Sequence, residues 1–112
     1  MNNVAHAIQE QLRRQSSTIE ILVVGDANAP VRGADDSDLL LWIEQNGYIF
    51  VTRDRNSMRN HLVNHYAAGH HIPGILWIRP SASLGQIIEA LFIIWSASTA
   101  DEYFDTMFTI PF

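Results

Sequence analysis

Strand-forming and helix-forming stretches alternate along this chain, and no other feature restricts its fold as strongly. Residues 19–24 (Ile-Glu-Ile-Leu-Val-Val), 48–52 (Tyr-Ile-Phe-Val-Thr) and 74–78 (Gly-Ile-Leu-Trp-Ile) are short apolar runs bounded by turn-forming residues. Between them lie amphipathic stretches with helical spacing. Residues 4–14 place Val4, Ala7, Ile8, Gln11 and Leu12 on one side, with Asn2 or Asn3 as cap. A second helix starts at Asp36 or Ser37, runs over 39–46 and stops at Asn46-Gly47. A third covers 58–68 and a fourth 84–98, where Ser83 and Gln86 form a capping-box pattern. The fourth is apolar almost all round and is expected to be well buried. Residues 26–35, with Pro30 and Gly33, form a loop, and 69–73 a turn before the third strand, which Pro80 closes. A helical turn or loop over 101–105 leads to a short edge strand at 107–110.

Strands joined through helices pair in parallel, so the pattern predicts an α/β fold with a mostly parallel sheet and helices on both faces. The run 19–24 reads as a largely buried strand of that sheet. A length of 112 residues and an apolar fraction of 47% suit one domain spanning residues 1–112.

Ligands of such sheets bind at the carboxyl ends of the strands. Asp26 and Asp54 each follow a predicted strand, and Asp36 opens a helix nearby. The topology therefore predicts three carboxylates on one edge of the sheet. Close carboxylates repel unless a cation binds them, and Mg²⁺ or Mn²⁺ takes a few hard oxygen ligands while keeping its waters. Such an ion activates water for displacement at phosphorus. Ordinary structural roles compete with this reading. Asp36 suits a helix cap, Asp54 the start of a turn and Asp26 a turn, while Asp35 and Asp38 read as exposed. Spacing alone favours the structural roles.

The net charge of −5 argues against broad electrostatic binding of nucleic acid. All seven cationic residues are arginine, and Arg53, Arg55, Arg59 and Arg79 share the stretch 53–79 with four histidines and a single acid, Asp54. That stretch is locally cationic, or an ordinary solvated helix face. His61 and His65 lie four apart on one helix face, which allows a zinc pair, but no third ligand is evident. Solvent-exposed or RNA-facing histidines are the favoured reading, with His70-His71 as part of a turn. Trp42, Trp77 and Trp95 read as core. With no cysteine, disulfides and thiolate metal sites are excluded, and a reducing setting fits. No stretch is long and apolar enough to span a membrane, and the first residues carry no signal-peptide pattern, so a cytoplasmic location is expected.

The stretch Gly33-Ala34-Asp35-Asp36-Ser37-Asp38-Leu39-Leu40, followed by Trp42, Gly47 and Val51-Thr52-Arg53-Asp54, resembles a large group of bacterial PIN-like proteins. These are related to the PilT N-terminal domain ribonucleases, which include VapC-type toxins. The similarity continues through Ser57-Met58, His61, Ala68-Gly69, Pro73-Gly74-Ile75 and the helix from Gly85-Gln86 to Leu91. It implies a three-layer α/β/α, Rossmann-like fold, an acidic cluster binding Mg²⁺ or Mn²⁺, and hydrolysis of RNA. By position, Asp36 and Asp54 match the family's catalytic, metal-binding acids. Asn56 stands where many relatives have a further acid and is a weaker ligand. Thr52, Arg53, Arg55, Arg59 and His61 are the residues placed to meet substrate.

The chain departs from the family at its start. Relatives begin with a hydrophobic strand ending in an Asp-Glu-Asn-like run, and Met1-Asn2-Asn3 matches only the tail of that run. The first central strand, with its aspartate, is therefore expected to be missing. That leaves an open edge which a second copy fills, giving a dimer or higher oligomer with weak or absent metal binding. Two functions are expected. One is a metal-dependent ribonuclease, impaired in this chain, as the toxin of a toxin–antitoxin pair with an antitoxin protein as partner. The other is a non-catalytic PIN-like module that binds a partner protein or RNA.

Overall fold

The computed structural model describes residues 3–112. Its elements, in chain order, are α1 (Asn3–Gln15), α2 (Asp36–Asn46), β1 (Phe50–Thr52), α3 (Arg55–Ala67), β2 (Ile75–Ile78), α4 (Leu84–Ala97), a 3₁₀ turn (Ala100–Tyr103) and β3 (Met107–Ile110). The strands form one sheet in the order β1-β2-β3, and both pairings are parallel. Phe50 is in register with Ile75, and Ile75 with Met107. The expected α/β class and parallel sheet are present.

Side chains alternate across the sheet with the period of two that an extended strand imposes. Ile75, Trp77 and Phe50 pack with Leu40 and Ile43 of α2 and Met58 and Leu62 of α3. On the opposite face, Leu76, Ile78 and Val51 pack with Ala90, Leu91 and Ile94 of α4. Helix α1 joins that second side through Ile8 and Leu12 against Ile87 and Ile88. The sheet therefore lies between two helical layers.

Helix boundaries follow local chemistry. Helix α2 stops where Gly47 adopts a left-handed φ of 73° and its N–H donates to the Ile43 carbonyl at 2.8 Å. The box at α4 forms as the sequence predicts. Ser83 Oγ accepts from the Gln86 N–H at 3.2 Å, and Gln86 Oε1 accepts from the Ser83 N–H at 2.9 Å. Helix α3 begins three residues before the expected start at 58, because Asp54 caps it through the Ser57 N–H. Asn2 lies outside the described residues, and so does the fit of Met1-Asn2 to the family's first run.

Two expectations fail. Residues 19–24 form no strand, although Ile19 and Val23 are buried. Side chains and local turn bonds take up several of their backbone groups in place of a ladder. The Ile21 carbonyl accepts from Gln9 Nε2 at 2.9 Å and from Arg13 Nη2 at 3.0 Å, and the Val23 N–H donates to Asp26 Oδ2 at 3.1 Å. A strand needs a neighbouring strand, and β1 pairs only with β2, so among the described residues no ladder forms on the outer edge of β1. Helix α4 is also less covered than its composition predicts. The sheet and α1 bury Ile87, Ile88, Ala90 and Ile94, while Ile93 and Trp95 remain exposed. Trp95 is thus not core, whereas Trp77 is buried and Trp42 packs against the core.

Candidate functional site

Helices α2 and α3 pack side by side, and both begin at the same end of the molecule, where β1 finishes. Asp36 is the first residue of α2 and Asp54 the cap of α3. Ser57, in the first turn of α3, contacts both. Its hydroxyl donates to Asp36 Oδ2 at 2.9 Å, and its N–H donates to Asp54 Oδ1 at 3.4 Å. The two carboxylates therefore share one small neighbourhood on one edge of the sheet. The positive ends of two helix dipoles favour negative charge there.

Asp26 does not join them through any recorded bond. It is bound to α1, with Oδ1 3.0 Å from His6 Nε2 and Oδ2 accepting from Gln9 Nε2 at 3.1 Å and from the Val23 N–H. The His6 ring, then the Val23 amide and Gln9, hold its carboxyl below the ordinary aspartate range. The turn reading of Asp26 is the one the geometry matches. The expectation of three grouped carboxylates reduces to two, because the stretch that carries Asp26 is drawn toward α1 and does not enter the sheet.

The other expected residues surround the pair unevenly. Thr52 Oγ1 accepts the Asp54 N–H at 3.1 Å, which shapes the turn between β1 and α3. Asn56 and Arg53 are exposed beside it. Arg55 turns over the sheet. Its guanidinium sits 5.4 Å above the Trp77 ring and donates to Thr109 Oγ1 at 3.0 Å. Arg55 and Arg59 line one part of a groove of about 330 Å³ whose floor includes Leu62, Tyr66 and Trp77. His61, on the same helix, is half-buried.

The donor set at Asp36 and Asp54 consists of two carboxylates, with Asp54 exposed and Asp36 half-exposed. That chemistry suits a hard divalent ion such as Mg²⁺ or Mn²⁺, which retains several waters. Asn56, exposed in the same helix turn, carries only a neutral amide.

A second cluster occupies the far end of the α2–α3 pair, and the sequence reading missed it. His65 is 6% exposed, neither solvent-exposed nor RNA-facing. Its Nε2 lies 3.0 Å from the His71 carbonyl and 3.3 Å from Glu44 Oε1. His70 Nδ1 is 2.9 Å from the same Glu44 oxygen, and Glu44 Oε2 accepts from the His71 N–H at 2.9 Å. That amide, followed by the nearby His70 and His65 rings, holds the Glu44 carboxyl below its ordinary value. His71 turns away to Asp105, with Nδ1 2.6 Å from Oδ2. His61 takes no part, so the pairing that forms is not the His61–His65 one that helical spacing allows but one that joins a helix to a loop. Only the burial of His65 could have signalled this, and burial is not written in the local sequence.

Fold and sites together define a parallel α/β protein with a carboxylate pair at the carboxyl end of its edge strand β1. No known family model matches the chain, and neither curated proteins nor solved structures yield a significant match. No helix among the described residues is long and apolar enough to cross a membrane.

Proposed function

We propose that this protein is a metal-dependent ribonuclease of the PIN-like type, with Asp36 and Asp54 as the carboxylates that hold Mg²⁺ or Mn²⁺. The observation that supports this reading is the Ser57 bridge, which brings acids 18 positions apart in sequence to one point at a strand end. A bound divalent ion would supply an activated water and neutralise charge developing at phosphorus. Asp36 and Asp54 fix the position of that charge, and the exposed guanidiniums of Arg53 and Arg59 attract a phosphodiester backbone to an otherwise acidic protein. Asn56 lowers the negative charge at the site relative to a three-acid cluster, so weak metal affinity is part of the proposal. The toxin role, with an antitoxin partner, belongs to the same reading.

The test is Mg²⁺- or Mn²⁺-dependent cleavage of a mixed RNA substrate by the wild type, Asp36→Asn and Asp54→Asn. Cleavage lost in both variants supports the assignment, and cleavage unchanged by either removes it.

A non-catalytic module is the second reading, and two observations favour it. Ser57 already satisfies one oxygen of each carboxylate, and Asp26 is committed to α1. In this reading RNA or a partner protein is bound without being cut, and a second copy pairs along the open edge of β1. Calorimetry separates the two, since no heat at millimolar Mn²⁺ supports the module. A sedimentation profile of a stable monomer removes the pairing.

A further inference from the structure

We propose that Glu44, His65 and His70 form a binding site for a divalent cation of intermediate softness, represented by Zn²⁺, separate from the Asp36–Asp54 pair. The three ligand atoms come from the last turn of α2, the last turn of α3 and the loop entering β2, and all lie within 4.8 Å of one another. A tetrahedral ion with bonds of about 2.0–2.1 Å sets its ligands about 3.3 Å apart. Glu44 Oε1 already stands 3.3 Å from His65 Nε2 and 2.9 Å from His70 Nδ1. The Glu44–His70 edge has to lengthen and the edge between the two histidines has to adjust, and the 42% exposure of the His70 side chain leaves room for both.

The surroundings have the features of a supported site. His65 is buried; its ring is stacked on that of His70 at 4.7 Å between centroids, and His70 must turn out of this stack for both rings to aim a nitrogen at one ion. The His71 amide holds the second Glu44 oxygen and so orients the carboxylate, as outer contacts do for metal ligands. Glu44 and His70 remain partly open, which leaves a path for the ion and a position for water. Two imidazoles and one carboxylate favour Zn²⁺ over Mg²⁺ or Ca²⁺. Without a cation, the His65 Nε2 proton is shared between the His71 carbonyl and Glu44, so ligation exchanges that carbonyl contact for the ion. A neutral imidazole can carry its proton on the other ring nitrogen, which turns a lone pair inward.

Glu44 lies eight residues along α2 from Asp36, about 12 Å at 1.5 Å per residue, so neither proposal depends on the other. Ligation would clamp both helices and the loop before β2, and the gain appears as resistance to unfolding.

The experiment is thermal unfolding of the untagged protein with and without Zn²⁺, together with visible absorption of the Co²⁺-loaded protein. The expected result is a rise of about 5 °C or more at saturating Zn²⁺, none with Mg²⁺, and tetrahedral Co²⁺ bands saturating at one equivalent. His70→Ala and Glu44→Gln should each weaken Zn²⁺ binding at least tenfold. His71→Ala, whose ring faces Asp105, should retain it. His70→Ala removes a partly exposed side chain, so its fold is expected to persist, and its circular dichroism checks that. The absence of any Zn²⁺-induced shift, or Zn²⁺ affinity unchanged in His70→Ala, overturns the proposal and leaves a hydrogen-bonded brace.

Discussion

The hydroxyl of Ser57 donates to Asp36 across the gap between α3 and α2, at 2.9 Å. The bond ties the starts of two helices together, and the neighbouring Ser57 amide caps onto Asp54. Ser57→Ala removes the first contact and keeps the second. The expected loss is about 0.5–1 kcal/mol in urea unfolding. Mn²⁺ affinity should be undiminished, because the substitution frees an oxygen of Asp36.

Asp54 has a structural role and a proposed chemical one, and two substitutions separate them. Asn caps helices about as well as Asp, so Asp54→Asn should hold stability within about 0.5 kcal/mol while removing metal-dependent cleavage. Asp54→Ala should lose both, with a stability cost of about 1 kcal/mol. Chemical denaturation and an RNA cleavage assay on the same preparations check this.

Gly74 precedes β2 with a φ of +146°, and a Cβ there would lie 2.8 Å from the Tyr103 carbonyl oxygen. The obstacle is backbone that cannot swing aside. Gly74→Ala should therefore destabilise the fold by about 3 kcal/mol, from crowding and backbone strain together. Its melting temperature should fall by about 10–20 °C.

Acid should weaken the loop before β2. The Ile72 amide, then the His71 ring, hold the Asp105 carboxyl below 3.8, and the His71 amide holds Glu44 below 4.5. Both groups are lowered on folding, so the unfolded chain binds more protons in this range. Their contribution is present above about pH 4.5 and is lost as pH falls through the folded values. Urea midpoints measured from pH 6 to pH 3 should decline, and the decline should be shallower in Asp105→Asn than in the wild type.

The features legible in the sequence were those set by local chemistry. The Ser83–Gln86 box, the Gly47 stop and the alternation of Ile75, Leu76 and Trp77 depend on residues close in sequence, and each forms as the pattern predicts. Residues 19–24 were misread because their apolar content fits a strand, yet a strand exists only beside a partner. Gln9, Arg13 and Asp26 took over its backbone groups. The Asp36–Asp54 proximity followed from the rule about strand ends, and Asp26 was lost from that group with its strand. The Glu44–His65–His70 cluster joins residues 21 and 26 positions from the glutamate. Helical spacing relates His61 to His65 and gives no sign of that longer-range meeting.

A Mn²⁺ titration followed by amide NMR tests the Asp36–Asp54 assignment most directly. The ion broadens the signals of the nuclei closest to it. The expected result is loss of signal centred on residues 36, 54 and 57, absent in Asp54→Asn. No broadening at residues 36, 54 and 57 at millimolar Mn²⁺, or broadening there that persists in Asp54→Asn, would contradict the assignment.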